Sequence, residues 1–246
     1  PISKSKEAGD LRPKHRVIYN VVDPDDSKET IKVFEASFPL FEQGLVAMAG
    51  AKGRKKGKDY IHFGDIEEGW TAIADLIRAG KVRYAGVCNF SVAQLDRAHA
   101  IHPVTSLQPP YSMLKRDIEA ELVPWCQTHN VGILAYSPMQ AGLLTGAFTR
   151  ERALALGDDD WRSRNPFFQE PQLTANLRVV DGLRPIAARL GISVAQLALA
   201  WVLRLPVVTS AIAGARRPEQ IEETVLAGRV SLSADVIAEI EVLLKG

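Results

Sequence analysis

The sequence predicts an α/β protein of the (β/α)8, TIM-barrel type, with missing or irregular units in its N-terminal part. Three observations lead there. From residue 58 onward, short apolar runs alternate with helical hydrophobic periods, the pattern of parallel strands joined by right-handed crossovers. No G-x-G-x-x-G turn occurs, although a doubly wound dinucleotide-binding sheet carries one after an early strand. Polar signals recur instead at the C-terminal ends of several apolar runs: Cys88-Asn89, Gln108, Tyr136-Ser137, and Gly214 through Arg217. A barrel assembles its site from such strand ends.

The elements follow in order. Apolar runs at 15–22, 45–50 and 60–63 read as strands. Asp65 is placed to cap a helix, with Glu68 as its capping-box partner. Ile66, Trp70, Ile73 and Ile77 then share one helical face, and Gly80 stops the helix. "VRYAGV" (82–87) is a buried strand, and Ser91 with Gln94 forms a second capping box ahead of Leu95 and Ala98. "VTSLQ" (104–108) is a short strand ended by Pro109-Pro110. A helix is expected over 118–129, kinked or starting late because Pro124 lies inside it. "VGILAY" (131–136) is the clearest strand. The long stretch containing "GDDDWRSRNPFFQEP" reads as a functional loop or a small lid. Its Trp161 and Phe167-Phe168 either line a pocket or pack on the rim. Helices resume over 177–190 and 193–203, "VVTSAI" (207–212) is the last strand, and an amphipathic helix starts at Ser233. That makes seven strand candidates where a closed barrel needs eight.

The totals set bounds. A chain of 246 residues with 46% hydrophobic and 24% charged residues is ordinary for a soluble globular protein. We expect one domain over 1–246, atypical over 1–58. The net charge of +1 argues against general nucleic-acid binding, and the basic run "KGRKKGK" reads as a solvated loop. No apolar run approaches the ~18 residues of a membrane span, and the polar start has no signal-peptide core. Cys88 and Cys126 fit no metal spacing and suggest reduced thiols in a cytoplasmic protein.

"GARRPEQIEE" follows the last strand. Pro218 suits the first turn of a helix, which leaves Gly214, Ala215, Arg216 and Arg217 as the loop that feeds it. Exposed N–H groups and the positive helix end favour an anion there. Arg216 and Arg217 add charge-assisted contacts suited to phosphate oxygens. A solvated arginine pair beside a capped helix is the alternative.

"GKVRYAGVCNFS", "SLQPPYS", "ILAYSPMQAGLLTG" and "AIAGARRPEQIEE" together resemble the aldo-keto reductases. The branch with bacterial general-stress reductases and potassium-channel β-subunits is the most similar, and the match covers 59–246. The resemblance implies a barrel that binds NADPH across its C-terminal face and reduces a small-molecule aldehyde or ketone. It implies that Cys88, Asn89 and Gln108 hold the nicotinamide carboxamide and that Tyr136 stacks on the ring. Ser137, Pro138, Met139, Gly142 and Leu143 would follow the pyrophosphate. Gly214, Ala215, Arg216, Arg217, Gln220 and Glu223 would hold the adenosine end, an arginine reading the 2′-phosphate. Thr224 stands where the family usually has asparagine.

Family members protonate the substrate oxygen with a tyrosine, assisted by a lysine, an aspartate and a histidine. By resemblance, Lys52 matches the lysine in one of two registers of the "LVAMAGAKG" stretch. In the other register the lysine is lost and Met48 lies near the aspartate position. His62 of "DYIH" matches the histidine. No tyrosine matches: Tyr60 belongs to the strand before His62, and Tyr19 lies too early. A non-catalytic NADPH-binding barrel, acting as a sensor or partner-binding subunit, is therefore the rival expectation.

Overall fold

The computed structural model describes residues 16–21 and 46–50, both strands, and residues 66–245. The strand expected at 60–63, the Asp65 cap, the basic run, Lys52 and His62 lie outside the described residues.

Among the described residues six strands form one parallel sheet: β1 (Arg16–Val21), β2 (Val46–Gly50), β3 (Tyr84–Cys88), β4 (Ser106–Gln108), β5 (Gly132–Tyr136) and β6 (Val208–Ala215). Their order is β1-β6-β5-β4-β3-β2. The first strand therefore pairs with the last, Arg16 opposite Ser210 through Val21 opposite Ala215. An open doubly wound sheet keeps its first strand central. Pairing of first with last is the arrangement of a ring of strands.

The described residues form eight α-helices: α1 (Ile66–Arg78), α2 (Val92–Ile101), α3 (Leu122–Thr128), α4 (Arg150–Leu154), α5 (Gln172–Arg189), α6 (Val194–Val202), α7 (Pro218–Val225) and α8 (Ala234–Lys245); α3, α6 and α7 pack against the strands. The capping signals explain where several begin. The Ser91 hydroxyl accepts from the Gln94 N–H, and the Gln94 amide oxygen accepts from the Ser91 N–H at 2.9 Å. Ser193 and Gln196 repeat the device at α6. All nine residues of α6 are buried, so this helix is interior rather than amphipathic. No single helix among the described residues is long and apolar enough to cross a membrane.

Two expectations need correction, and one alternative is decided. The helix expected over 118–129, kinked or starting late, starts late: a 3-10 turn, Asp117–Glu119, precedes α3. Pro124 then falls in the first turn of α3, where its missing N–H is not needed. α5 starts five residues earlier than its hydrophobic period suggests, at Gln172. The last strand runs on to Ala215 because Asn20 and Val21 of β1 pair with Gly214 and Ala215. Those two residues belong to the sheet, and only Arg216 and Arg217 form the turn into α7.

The main core gathers Trp70, Leu95, Leu107, Ile133, Leu197 and Trp201. A second, smaller core at the rim joins Leu143, Phe148, Phe168 and Leu173. Phe168 meets Phe148 edge-on at 5.1 Å. It packs on the rim, while Trp161 is 60% exposed.

A histidine braces the link between α2 and β4. His99 Nδ1 accepts the N–H of buried Val104 at 3.3 Å, so that nitrogen must be unprotonated. Burial first, then His129 and His102, push His99 below its ordinary 6.5, against the opposing pull of Asp96. The fold therefore favours the neutral ring. Its stabilisation is complete above pH 6.5 and is lost as pH falls through the lowered folded value. Urea midpoints should fall between pH 7.5 and 5.5, and His99→Gln should flatten that dependence; an unchanged slope in the variant would remove His99 as its source.

Candidate functional site

The strand ends bring the amide and aromatic residues together. Cys88 and Gln108 pair across β3 and β4. Asn89 continues β3 in a left-handed conformation, φ 59°, which asparagine tolerates better than most residues. This turn points its backbone N–H at the Gln108 carbonyl, 3.1 Å away. The β5 end is locked to the same rung. The Tyr136 N–H donates to the Pro109 carbonyl at 3.0 Å, and the Tyr136 carbonyl accepts from Tyr111 at 3.1 Å.

Side chains complete the cluster. The Tyr136 hydroxyl donates to Asn89 Oδ1 at 3.2 Å. The Cys88 thiol lies 3.6 Å from Gln108 Oε1. Burial pushes that thiol up from its ordinary 9.0, so it is protonated at neutral pH. Cys88, Asn89, Gln108 and Tyr136 form one contiguous polar patch.

The turn after β5 is unusual backbone. Ser137, Gln140, Ala141 and Gly142 all take positive φ, at 53°, 47°, 51° and 102°. Such conformations cost free energy in non-glycine residues and persist only where surroundings enforce them. Here buried Gln140 accepts from the buried Ser112 hydroxyl at 2.9 Å. Thr145 Oγ1 donates to the Gly142 carbonyl at 2.7 Å. Leu143 and Leu144 are fully buried. The Leu143 side chain serves the small core, so it offers a ligand only its backbone. Pro138 is buried, Met139 is half-buried against the main core, and Ser137 is exposed.

The rim stretch contributes a charge the sequence reading missed. Asp160 holds Arg162 through its side chain, Nε to Oδ1 at 3.0 Å. Arg162 Nη1 lies 4.0 Å from where a Cβ on Gly142 would sit. Hydrogen bonds from Arg162 hold the Asp160 carboxyl down at about 2, and the charge of Arg216 adds to this. The charge of Arg216, in the turn after β6, thus reaches the stretch after β5. "DDDWRSR" carries no periodic signal of this pairing.

At that turn, Arg216 and Arg217 are exposed. Their backbone N–H groups both donate to Gln220 Oε1, at 2.8 and 3.2 Å. Gln220 is therefore first a helix cap. Pro218 opens α7 at its first turn, and Arg217 meets Glu219 only at 3.9 Å on the exposed surface. Gly214 has open space where a Cβ would be, and Ala215 is buried. Glu223 is exposed, its carbonyl accepting from Gln196 at 2.8 Å. Thr224 is buried, and its hydroxyl donates back to the Gln220 carbonyl at 2.6 Å. That hydroxyl is turned into the helix rather than toward a ligand.

Comparison with known proteins gives these features a context. The model of the aldo/keto reductase family matches residues 15–245. The chain is 37% identical over 167 residues to aldo-keto reductase YhdN of Bacillus subtilis (strain 168), covering 66% of this chain and 50% of that one. The glycerol dehydrogenase AKR11B4 of Gluconobacter oxydans has a similar structure, with TM-score 0.71 and 32% identity over 75% of this chain and 56% of that one. A thermostable aldo-keto reductase solved with the inhibitor epalrestat aligns with TM-score 0.55 and 26% identity, over 73% of this chain and 55% of that one. The chain thus spans about half the length of the relatives it matches.

If Gln140 enforces the strained turn, Gln140→Ala should cost about 1–3 kcal/mol because the buried Ser112 hydroxyl loses its acceptor, measured by urea unfolding.

Proposed function

The chain belongs to the aldo/keto reductase family, whose model spans nearly all of it, and from that premise we propose that it is an NADPH-dependent oxidoreductase. Its substrate is a small-molecule aldehyde or ketone. The observation that carries this reading is the Cys88-Asn89-Gln108-Tyr136 patch at the strand ends. It offers two amides and an aromatic ring on adjacent strands, the donor set a nicotinamide carboxamide and ring require. The exposed Arg216 and Arg217 suit the far phosphate, and open space over Gly214 admits a close approach.

When bound, the nicotinamide supplies the hydride. This chain's residues do the rest. Asn89 and Gln108 orient the carboxamide, and Tyr136 packs on the ring. The rigid turn at Ser137 through Gly142 fixes backbone groups along the pyrophosphate. Arg216 and Arg217 select the 2′-phosphate by charge-assisted hydrogen bonds. Lys52 and His62 stand by resemblance as the proton-transfer assistant and the substrate-orienting residue. Two free cysteines accord with a cytoplasmic setting.

A second reading rests on the tyrosines. Tyr111 is fully buried, donates to Glu119 at 2.5 Å and accepts from Arg204 at 2.7 Å. Burial raises it well above the ordinary tyrosine range, which disqualifies it as an acid. Tyr84 opens β3 at the opposite end of the strand from Cys88, and Tyr136 serves the ring. No tyrosine in the sequence matches the family's proton donor, and on that ground the second reading is a barrel that binds NADPH without turning it over.

One titration separates the readings: NADPH followed by fluorescence, then 4-nitrobenzaldehyde and a wider aldehyde panel. Binding with cofactor oxidation supports the reductase. Binding without oxidation across the panel supports the second reading, and no binding rejects both. Arg216→Ala with Arg217→Ala should weaken NADPH by about 1.5–3 kcal/mol, roughly ten- to a hundredfold in Kd, and leave NADH nearly unchanged. Equal weakening of both cofactors would refute the 2′-phosphate assignment.

A further inference from the structure

A cluster of charged side chains joins the connection after β4 to the ends of α6 and α8. Its centre is Arg204, whose side chain is only 11% exposed. Arg204 Nη1 donates to the Tyr111 hydroxyl at 2.7 Å and to the Trp201 carbonyl at 3.0 Å. Its Nη2 donates to Glu119 Oε1 at 3.0 Å, and the guanidinium lies 3.5 Å from the centre of the Trp201 ring. Glu119 is held by a second arginine. Arg116 Nε and Nη2 donate to Glu119 Oε2 at 3.0 and 2.7 Å, and Arg116 Nη1 reaches Glu241 of α8 at 2.6 Å. Replacing a buried ion pair by apolar side chains is often neutral or stabilising, so stability alone does not account for these charges. A planar fork of donors does what an apolar side chain cannot: it fixes the tyrosine hydroxyl at one point.

What Tyr111 and its neighbour hold gives that fixing a consequence. Tyr111 is fully buried, and its N–H donates to the Tyr136 carbonyl at 3.1 Å. Ser112 is also fully buried. Its hydroxyl donates to Gln140 at 2.9 Å and accepts from the Lys115 N–H at 3.1 Å. Two adjacent residues thus carry one bond to the end of β5 and one to the turn of positive φ that follows it. We propose that Arg204 is a positioning residue: from beyond α6 it holds Tyr111, and Tyr111 with Ser112 sets the turn from Ser137 to Gly142. Arg204 acts through these residues and not by contact with a ligand. The inference rests on the reading that NADPH lies along that turn, and it adds that the buried cluster governs how tightly the dinucleotide is held.

Two ligands test it: NADPH, and adenosine 2′-monophosphate, which matches the end assigned to Arg216 and Arg217 and carries no pyrophosphate to follow the turn. Their Kd values are measured by titration calorimetry for the full chain, for Arg204→Met and for Tyr111→Phe, at a temperature where urea titration shows each chain folded. Both variants should weaken NADPH by about three- to tenfold, the worth of one net hydrogen bond. Both should leave adenosine 2′-monophosphate within about twofold of the wild-type chain. A cluster that only stabilises the fold would lower the urea midpoint and leave both Kd values unchanged, and that result would overturn the inference. Equal weakening of the two ligands would overturn it as well, since general loosening does not discriminate between the ends of the dinucleotide. Tyr111→Phe keeps the ring and the Arg204–Glu119 pair, and it decides alone if Arg204→Met does not fold. In each of these cases NADPH binding as such would stand. Failure of NADPH to bind the wild-type chain would overturn this inference and the cofactor reading together.

Discussion

Everything at the polar end of the sheet depends on the parallel ladder that aligns its strands. Hydrogen bonds between neighbouring backbones set Cys88 beside Gln108 and Tyr136 beside Ile212. With all strands running the same way, their C-terminal ends share one end of the sheet. A shift of one residue in β4 would turn Gln108 to the other face and dissolve the patch. The ladder's extensions make that shift costly. The Asn89 N–H reaches the Gln108 carbonyl, and the Tyr136 N–H reaches the Pro109 carbonyl. These bonds lie just beyond the strand ends and act as pins.

Charge is handled differently from geometry. The turn after β6 carries two exposed arginines, yet the rim stretch brings Asp160 within the field of Arg216. Asp160 is occupied by Arg162, so the pair contributes little net charge while remaining polar and ordered. The strained turn with Gly142 lies beside it. The rim thus combines fixed dipoles, a neutralised ion pair and two exposed cations, one of them in a loose surface pair with Glu219. A (β/α)8 barrel of the aldo/keto reductase family can hold an anion along such a path with no glycine-rich dinucleotide turn.

Local signals were legible in the sequence. The capping box at Ser91, the helix opening at Pro218 and the strand ends at Gln108 and Tyr136 each rest on a few adjacent residues. Non-local features were not. β6 runs through Gly214 and Ala215 only because β1 supplies partners from the far end of the chain, and glycine there read naturally as a turn. Gln220 looked like a ligand contact, but its oxygen is spent on two backbone N–H groups. Thr224 looked like a substituted contact, but it is buried against its own helix. Gln140 went unread because its partner, Ser112, lies on a different strand connection. Lys52 and His62 lie outside the described residues, and their roles remain carried by resemblance alone.

The pairing of β1 with β6 also governs how the molecule can assemble. Arg16 meets Ser210 and Val21 meets Ala215, so this seam joins segments separated by most of the chain. Closing so long a loop carries a large entropic charge before any contact is gained, and topologies rich in such contacts fold slowly. During synthesis the edge of β1 that pairs with β6 must wait until β6 has emerged. The β3–β4–β5 block, built from neighbouring segments, is free to form first. β6 would then add to that block and present the edge on which β1 docks last.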